Sequence, residues 1–152
     1  MALVLGVLAG SAPRGAEAQA RPRAGEVVYG RVADLAADAA GLDRVLVRAL
    51  IHVESRWRPG AVSVDDARGL MQILPSTAAD YDPGADLFDP ISNILIGVTH
   101  LQGLVRRHGV VRALAAWNAG EGALQRSPVF TRYRETRRFV AAVLLEMERR
   151  RR

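Results

Sequence analysis

The sequence predicts a mainly α fold in a single domain. Apolar residues recur at helical spacing in several separate stretches, and aspartate, proline and glycine stand where helices begin and end. At 152 residues with 49% hydrophobic content, the chain is long enough for a real core and too apolar for disorder throughout.

Residues 2–9, Ala-Leu-Val-Leu-Gly-Val-Leu-Ala, are apolar but too few to span a bilayer, and small residues follow at Ala16, Ala18 and Ala20. They predict an export signal over residues 1–20, although no arginine precedes the apolar run; Gly6, Gly10 and Pro13 argue against a buried helix there. Residues 21–28 lack periodicity and read as a linker. A first helix is expected over Tyr29 to Ala40, where Val32, Leu35, Ala36 and Ala39 keep the helical period, with Gly41 as its stop. Asp43 can cap the next helix. That helix carries Leu46, Val47, Leu50, Ile51 and Val53 and ends near Trp57, because Pro59 and Gly60 follow.

Residues 61–68 form a loop, Pro75 opens a short helix through Ala79, and Asp82-Pro83-Gly84 ends it. Asp89-Pro90 starts the longest amphipathic helix. Its core face is Ile91, Ile94, Leu95, Val98, Leu101, Leu104 and Val105, and Gly109 stops it. Val110 to Ala116 forms a further helix, and Ser127-Pro128 breaks the chain. Glu135 opens the last helix, with Val140, Val143, Leu144 and Met147 as its buried stripe and Arg149 to Arg152 as a solvated basic tail.

All 21 basic residues are arginine. Without the four in the tail the formal net charge of +5 drops to +1, which removes most of the case for a nucleic-acid surface. With no cysteine, disulfides and thiolate metal sites are excluded. His52, His100 and His108 are too scattered in sequence for a metal cluster, so no metal or cofactor is implied.

One carboxylate departs from the polar-outward pattern. Val47, Leu50, Ile51 and Glu54 share one helical face, whereas Arg44 and Arg48 point to water. Burial there disfavours the charged form, as does the negative end of the helix dipole, so Glu54 is a candidate proton donor near neutral pH. A lone glutamate at a helix end more often bends to solvent or pairs with an arginine. This one is followed by Gly69-Leu70-Met71-Gln72, where glycine permits close backbone approach to a ligand and glutamine offers a donor and an acceptor suited to a sugar.

Glu54-Ser55, then Ser63 in the loop, then Gly69-Leu70-Met71-Gln72 resemble in order and spacing the catalytic domain of the soluble lytic transglycosylases, lysozyme-like enzymes that cleave peptidoglycan glycan strands. Asp89, Asn93, Gly97 and Leu101 also match, the first three for packing and capping, and His100 stands where a tyrosine is common. By itself His100 reads as a satisfied histidine rather than a base. Trp117-Asn118-Ala119-Gly120 resembles an aromatic-Asn-Ala-Gly segment that lines the glycan groove, in keeping with an aromatic face for a sugar and an amide for its substituents. Two further positions depart from the pattern. Asp66 lies near a usual glycine, and Phe139 stands at a tyrosine whose hydroxyl lies near the catalytic glutamate.

The resemblance covers roughly residues 30–147, within a domain set at 29–148. It implies a lysozyme-like helical domain with a substrate groove between the helix of Glu54 and the segments of Gln72 and Trp117. Glu54 would protonate the oxygen linking N-acetylmuramic acid to N-acetylglucosamine, then as a carboxylate take the proton of the muramic 6-hydroxyl as it attacks the anomeric carbon. The product is a 1,6-anhydro sugar. Substrate contacts are assigned by resemblance to Ser63, Gly69, Leu70, Met71, Gln72, Trp117, Asn118, Ala119, Gly120 and Phe139; from its residues alone Ser63 reads better as a loop cap. The implied setting is the periplasm or cell envelope, with peptidoglycan strands as partner, a secretion or conjugation machinery as a second partner weakly favoured by small size, and no stable membrane span after signal removal. The alternatives are a water-using muramidase with Asp65, Asp66 or Glu121 as second carboxylate, a non-enzymatic glycan-binding module and, more distantly, a helical nucleic-acid binder.

Overall fold

The computed structural model describes residues 23–126 and 134–152. The expected export signal, the linker positions 21 and 22 and the break at Ser127-Pro128 lie outside the described residues. Within them the order is α1 (Ala24–Ala39), α2 (Arg44–Ser55), α3 (Pro75–Ala79), α4 (Pro90–His108), α5 (Val110–Ala119), α6 (Glu121–Arg126) and α7 (Arg134–Arg151). The described residues contain no strand, only isolated bridges pairing Arg68 with Val62 and with Ile73 in the loop after α2.

The α2 helix is the axis of the fold. Asp43 Oδ1 accepts the Val45 N–H at 2.7 Å, as its capping role predicts. The apolar stripe Val47, Leu50 and Ile51 is fully buried, with α7 packed on one side and α1 on the other. Helix α4 packs against α5 and α1, and α5 in turn against α6 and α7. No helix among the described residues is long and apolar enough to cross a membrane.

Four expectations need correction. The α1 helix begins at Ala24, so residues 24–28 of the expected linker are helical; Glu26 in that first turn is held by Arg48 of α2 and Arg150 of α7, partners that local periodicity cannot reveal. In α4, Ile91 and Leu95 are exposed while Asn93 and Gly97 are buried, because the helix turns its small and polar residues onto the loop before α3. In α7, Leu144 is partly exposed while Thr136, Phe139 and Glu146 are buried. The basic tail is not loose either. Residues Arg149 to Arg151 stay helical, and the Arg150 side chain, only 11% exposed, pairs with Glu26 and Glu146. The helical frame therefore extends beyond 29–148 at both ends.

Past Ser55 the chain turns sharply, with Arg56 at φ 53° and Trp57 at φ 64°, a left-handed conformation that non-glycine residues adopt at a cost. Burial of the Trp57 side chain anchors the turn. Gly25 of α1 lies so close to the Trp57 carbonyl that a Cβ would come within 1.9 Å of its oxygen. The last turn of α2, which carries Glu54, is thus fixed from below by packing.

Candidate active site

The loop that follows α2 is tied to two helices by side-chain hydrogen bonds. Ser55 Oγ donates to the Leu70 carbonyl at 2.7 Å, joining the end of α2 to the Gly69-Leu70-Met71-Gln72 segment. From α4, Asn93 Oδ1 accepts the Met71 N–H at 2.8 Å, and its Nδ2 donates to the carbonyls of Arg68 and Leu87 at 2.8 and 2.9 Å. A fully buried amide is tolerated because every one of its hydrogens finds an acceptor. Gly69, at φ 75°, leaves the room this needs: a Cβ there would lie 2.3 Å from Asn93 Nδ2.

This arrangement divides the predicted substrate contacts. Gly69, Leu70 and Met71 are buried and lie outside the cleft lining, so the close approach that the glycine allows is to Asn93 and the Leu87 carbonyl. Ser63 closes the loop, its Oγ accepting the N–H groups of Asp65 and Ala67 at 3.3 and 3.0 Å. Ala119, Gly120 and Phe139 also fall outside the lining, Phe139 inside the core and Gly120 as the exposed cap of α5. Glu54, Gln72, Trp117 and Asn118 are brought together in one cleft, completed by Ala67, Ile73, Leu74, Thr77 and His100. The last five were not expected at a site, and only His100 carried a signal, as a departure from a common tyrosine.

Gln72 is held with its side-chain Nε2 donating to the carbonyls of Ala61 and Gly69 at 3.1 and 3.0 Å. With the amino group so engaged, Oε1 is what the side chain offers to a ligand. Asp66 takes φ 63° itself, a left-handed step close to where the resemblance leads one to expect a glycine, and its carboxylate is matched by Arg68 at 2.8 Å.

Glu54 ends α2 at the cleft, with part of its surface open but its carboxyl closed in by protein. Burial pushes its pKa up to about 8, against the opposing effect of the Trp117 indole, whose Nε1–H donates to Oε1 at 2.7 Å. At neutral pH the carboxyl is therefore protonated, and the proton sits on Oε2 because Oε1 accepts from the indole. No other carboxylate lines the cleft among the described residues. Asp65 and Asp66 are exposed, and Glu121 is engaged by Arg107 at 2.8 Å and His108 at 2.6 Å.

With this geometry in view, the chain matches the family model described as "Transglycosylase SLT domain" over residues 31–139. It is 42% identical to a protein of Haemophilus influenzae described as a putative soluble lytic murein transglycosylase, in a match covering 52% of this chain and 15% of that protein. The 70 kDa soluble lytic transglycosylase of Escherichia coli has a similar structure, with a TM-score of 0.73 and 29% identity over 81% of this chain and 24% of that one. An inactive glutamate-to-glutamine mutant of the lytic transglycosylase Slt from Pseudomonas aeruginosa gives 0.69 and 26% over 77% and 23%. The chain spans less than a quarter of the length of each of these relatives.

Proposed function

The chain belongs to the transglycosylase SLT domain family, and from that premise we propose that it cleaves the β-1,4 bond between N-acetylmuramic acid and N-acetylglucosamine in peptidoglycan, forming 1,6-anhydromuramic acid. The observation that carries the reading is Glu54: one buried, protonated carboxyl in a cleft without a second carboxylate among the described residues. Retaining glycosidases need a partner carboxylate about 5 Å away and inverting ones need it about 6.5–9.5 Å away. A mechanism in which the substrate supplies the nucleophile needs only one.

In the first step Glu54 Oε2 gives its proton to the glycosidic oxygen as the bond to the anomeric carbon breaks. In the second, the carboxylate takes the proton of the muramic 6-hydroxyl while that oxygen bonds to the anomeric carbon. Glu54 ends protonated and no water is consumed. Between the steps the carboxylate is anionic in a buried place, and the Trp117 N–H is the donor that stabilises it. Gln72 Oε1 and the Asn118 amide supply polar contacts along the strand, while Ala67, Ile73 and Leu74 supply apolar ones. The working place is the cell envelope, reached through the export signal expected over residues 1–20.

The test is the mass of muropeptides released from purified peptidoglycan. Fragments ending in anhydromuramic acid, lighter by one water than the reducing sugar, are expected, and Glu54→Gln should release none while keeping its helical circular dichroism. A product population of reducing ends would instead mean that water enters the cleft.

A further inference from the structure

His100 has no part in the proton transfers assigned to Glu54, yet its ring lines the same cleft. Two contacts hold it. Its Nδ1 lies 2.9 Å from the Tyr81 hydroxyl, with the two rings edge to face at 5.9 Å and 79°. Its ring also lies tilted against Trp117, 5.4 Å between centroids. Nδ1 is thereby occupied, and Nε2 is the polar atom the ring has left for the cleft.

We propose that His100 is a glycan-positioning residue: the Tyr81 hydroxyl donates to Nδ1, the imidazole proton is thereby set on Nε2, and that N–H is offered to a hydroxyl or acetamido oxygen of the bound strand. The inference rests on the glycan reading of the cleft and adds a donor to it. Gln72 spends its amino group on backbone carbonyls, and the Trp117 N–H is committed to Glu54, so beside His100 only the Thr77 hydroxyl and the Asn118 amide are left among the lining side chains as donors. A strand rich in hydroxyl and acetamido oxygens requires them.

The direction proposed for the Tyr81–His100 bond needs a protonated phenol and a neutral imidazole, and the surroundings supply both. Burial holds the Tyr81 phenol above its ordinary pKa, so it keeps its proton. Around the imidazole stand Arg107 of the same helix, Glu121 at the start of α6 and Asp80 after α3. Burial first and then Arg107 hold His100 below the usual histidine range, with Glu121 and Asp80 opposing. The ring is neutral at neutral pH, and a neutral ring with a phenol donating to one nitrogen carries its hydrogen on the other.

Nitrogen chemical shifts of the ring in the wild-type chain read the tautomer directly, and a titration with the N-acetylglucosamine tetramer reads the contact. The expected result is the Nε2–H form, with that N–H moving as the tetramer saturates. The Nδ1–H form, or a silent His100 beside a shifting Trp117 indole, overturns the proposal while leaving the glycan reading intact. If neither resonance moves and wild-type protein releases no fragment from peptidoglycan, it is the glycan reading that has failed. In the cleavage assay His100→Phe keeps the ring shape without the donor and should raise KM by about three- to tenfold, more than it lowers kcat. His100→Gln restores an N–H and should recover most of the loss; if it is as impaired as His100→Phe, the role is packing and the proposal is wrong.

Discussion

The indole N–H of Trp117 donates to Oε1 of Glu54 at 2.7 Å, linking residues 63 positions apart at the centre of the cleft. Burial drives the Glu54 pKa up and this bond holds it down, so the two together set how readily the carboxyl gives and retakes a proton. Trp117→Phe keeps an aromatic face and removes the donor. The pKa should rise above about 8, moving the alkaline limb of the cleavage profile to higher pH. Turnover should fall roughly ten- to hundredfold, since a hydrogen bond to a charged group is worth about 1.5–3 kcal/mol. An unmoved alkaline limb would show that the indole does not tune the acid.

A second prediction concerns the loop that carries Gln72. Gly97 packs against Met71, where a Cβ would lie 2.5 Å from Sδ, and Asn93 satisfies three backbone groups of the adjoining chain. Gly97→Ala should cost about 1–3 kcal/mol by overpacking. Asn93→Leu should cost more, because it leaves buried donors and acceptors without partners at about 1–3 kcal/mol each. Denaturant unfolding measures both losses, and KM should rise with them as Gln72 shifts. Wild-type stability for Asn93→Leu would mean that the loop is held by other contacts.

What could be read from the sequence and what could not divides by range. Glu54 was legible because Val47, Leu50 and Ile51 sit within two turns of it and the helical period ties them together. Its partner Trp117 was placed at the groove only through a family motif, and nothing in either segment announces the bond between them. Gly69-Leu70-Met71-Gln72 was legible as a motif, but the room its glycine leaves for Asn93 was not. The resemblance gave Asn93 a packing and capping role, but the loop it packs on, more than 20 positions away, shows only in its hydrogen bonds. Leu95 was assigned to the core because it is apolar and keeps the helical period, yet it is exposed. The run of arginines at the end looked solvated because its carboxylate partner Glu26 lies 124 positions earlier.

Those arginines give the third prediction. Arg150 is shared by Glu26 and Glu146, whose side chains are 10% and 9% exposed. Burial alone would raise both carboxyl pKa values, but Arg150 and Arg48 bring Glu26 below the usual range, and Arg149, His52 and Arg150 do so for Glu146. Arg150→Ala leaves two half-compensated buried carboxylates and should cost on the order of 2–4 kcal/mol at neutral pH. Depressed carboxyl pKa values stabilise above the unfolded value and lose that contribution as pH falls through the folded one, so the difference from wild type should shrink in acid. Arg152, 72% exposed, is the control: Arg152→Ala should leave the melting curve unchanged.

The last prediction ties the proposed acid to the stability of the fold. The folded pKa of Glu54, about 8, lies above the ordinary value of 4.5, so the folded state binds the proton more tightly than the unfolded chain does. The stability this group contributes is complete below pH 4.5 and declines as pH rises towards 8, where the buried carboxyl must ionise. Glu54→Gln keeps the shape, can still accept from the Trp117 indole and never ionises. It should therefore match wild type in acid, gain on it through neutral pH and be more stable by a few kcal/mol above pH 8, the upper bound being set by the shift itself. Reversible thermal melts of the two proteins from pH 4 to 9 measure the difference. Equal or lower stability of the Gln variant at pH 8 would mean that the wild-type carboxylate is already satisfied in the fold, and Glu54 would then lack the retained proton on which the cleavage mechanism depends.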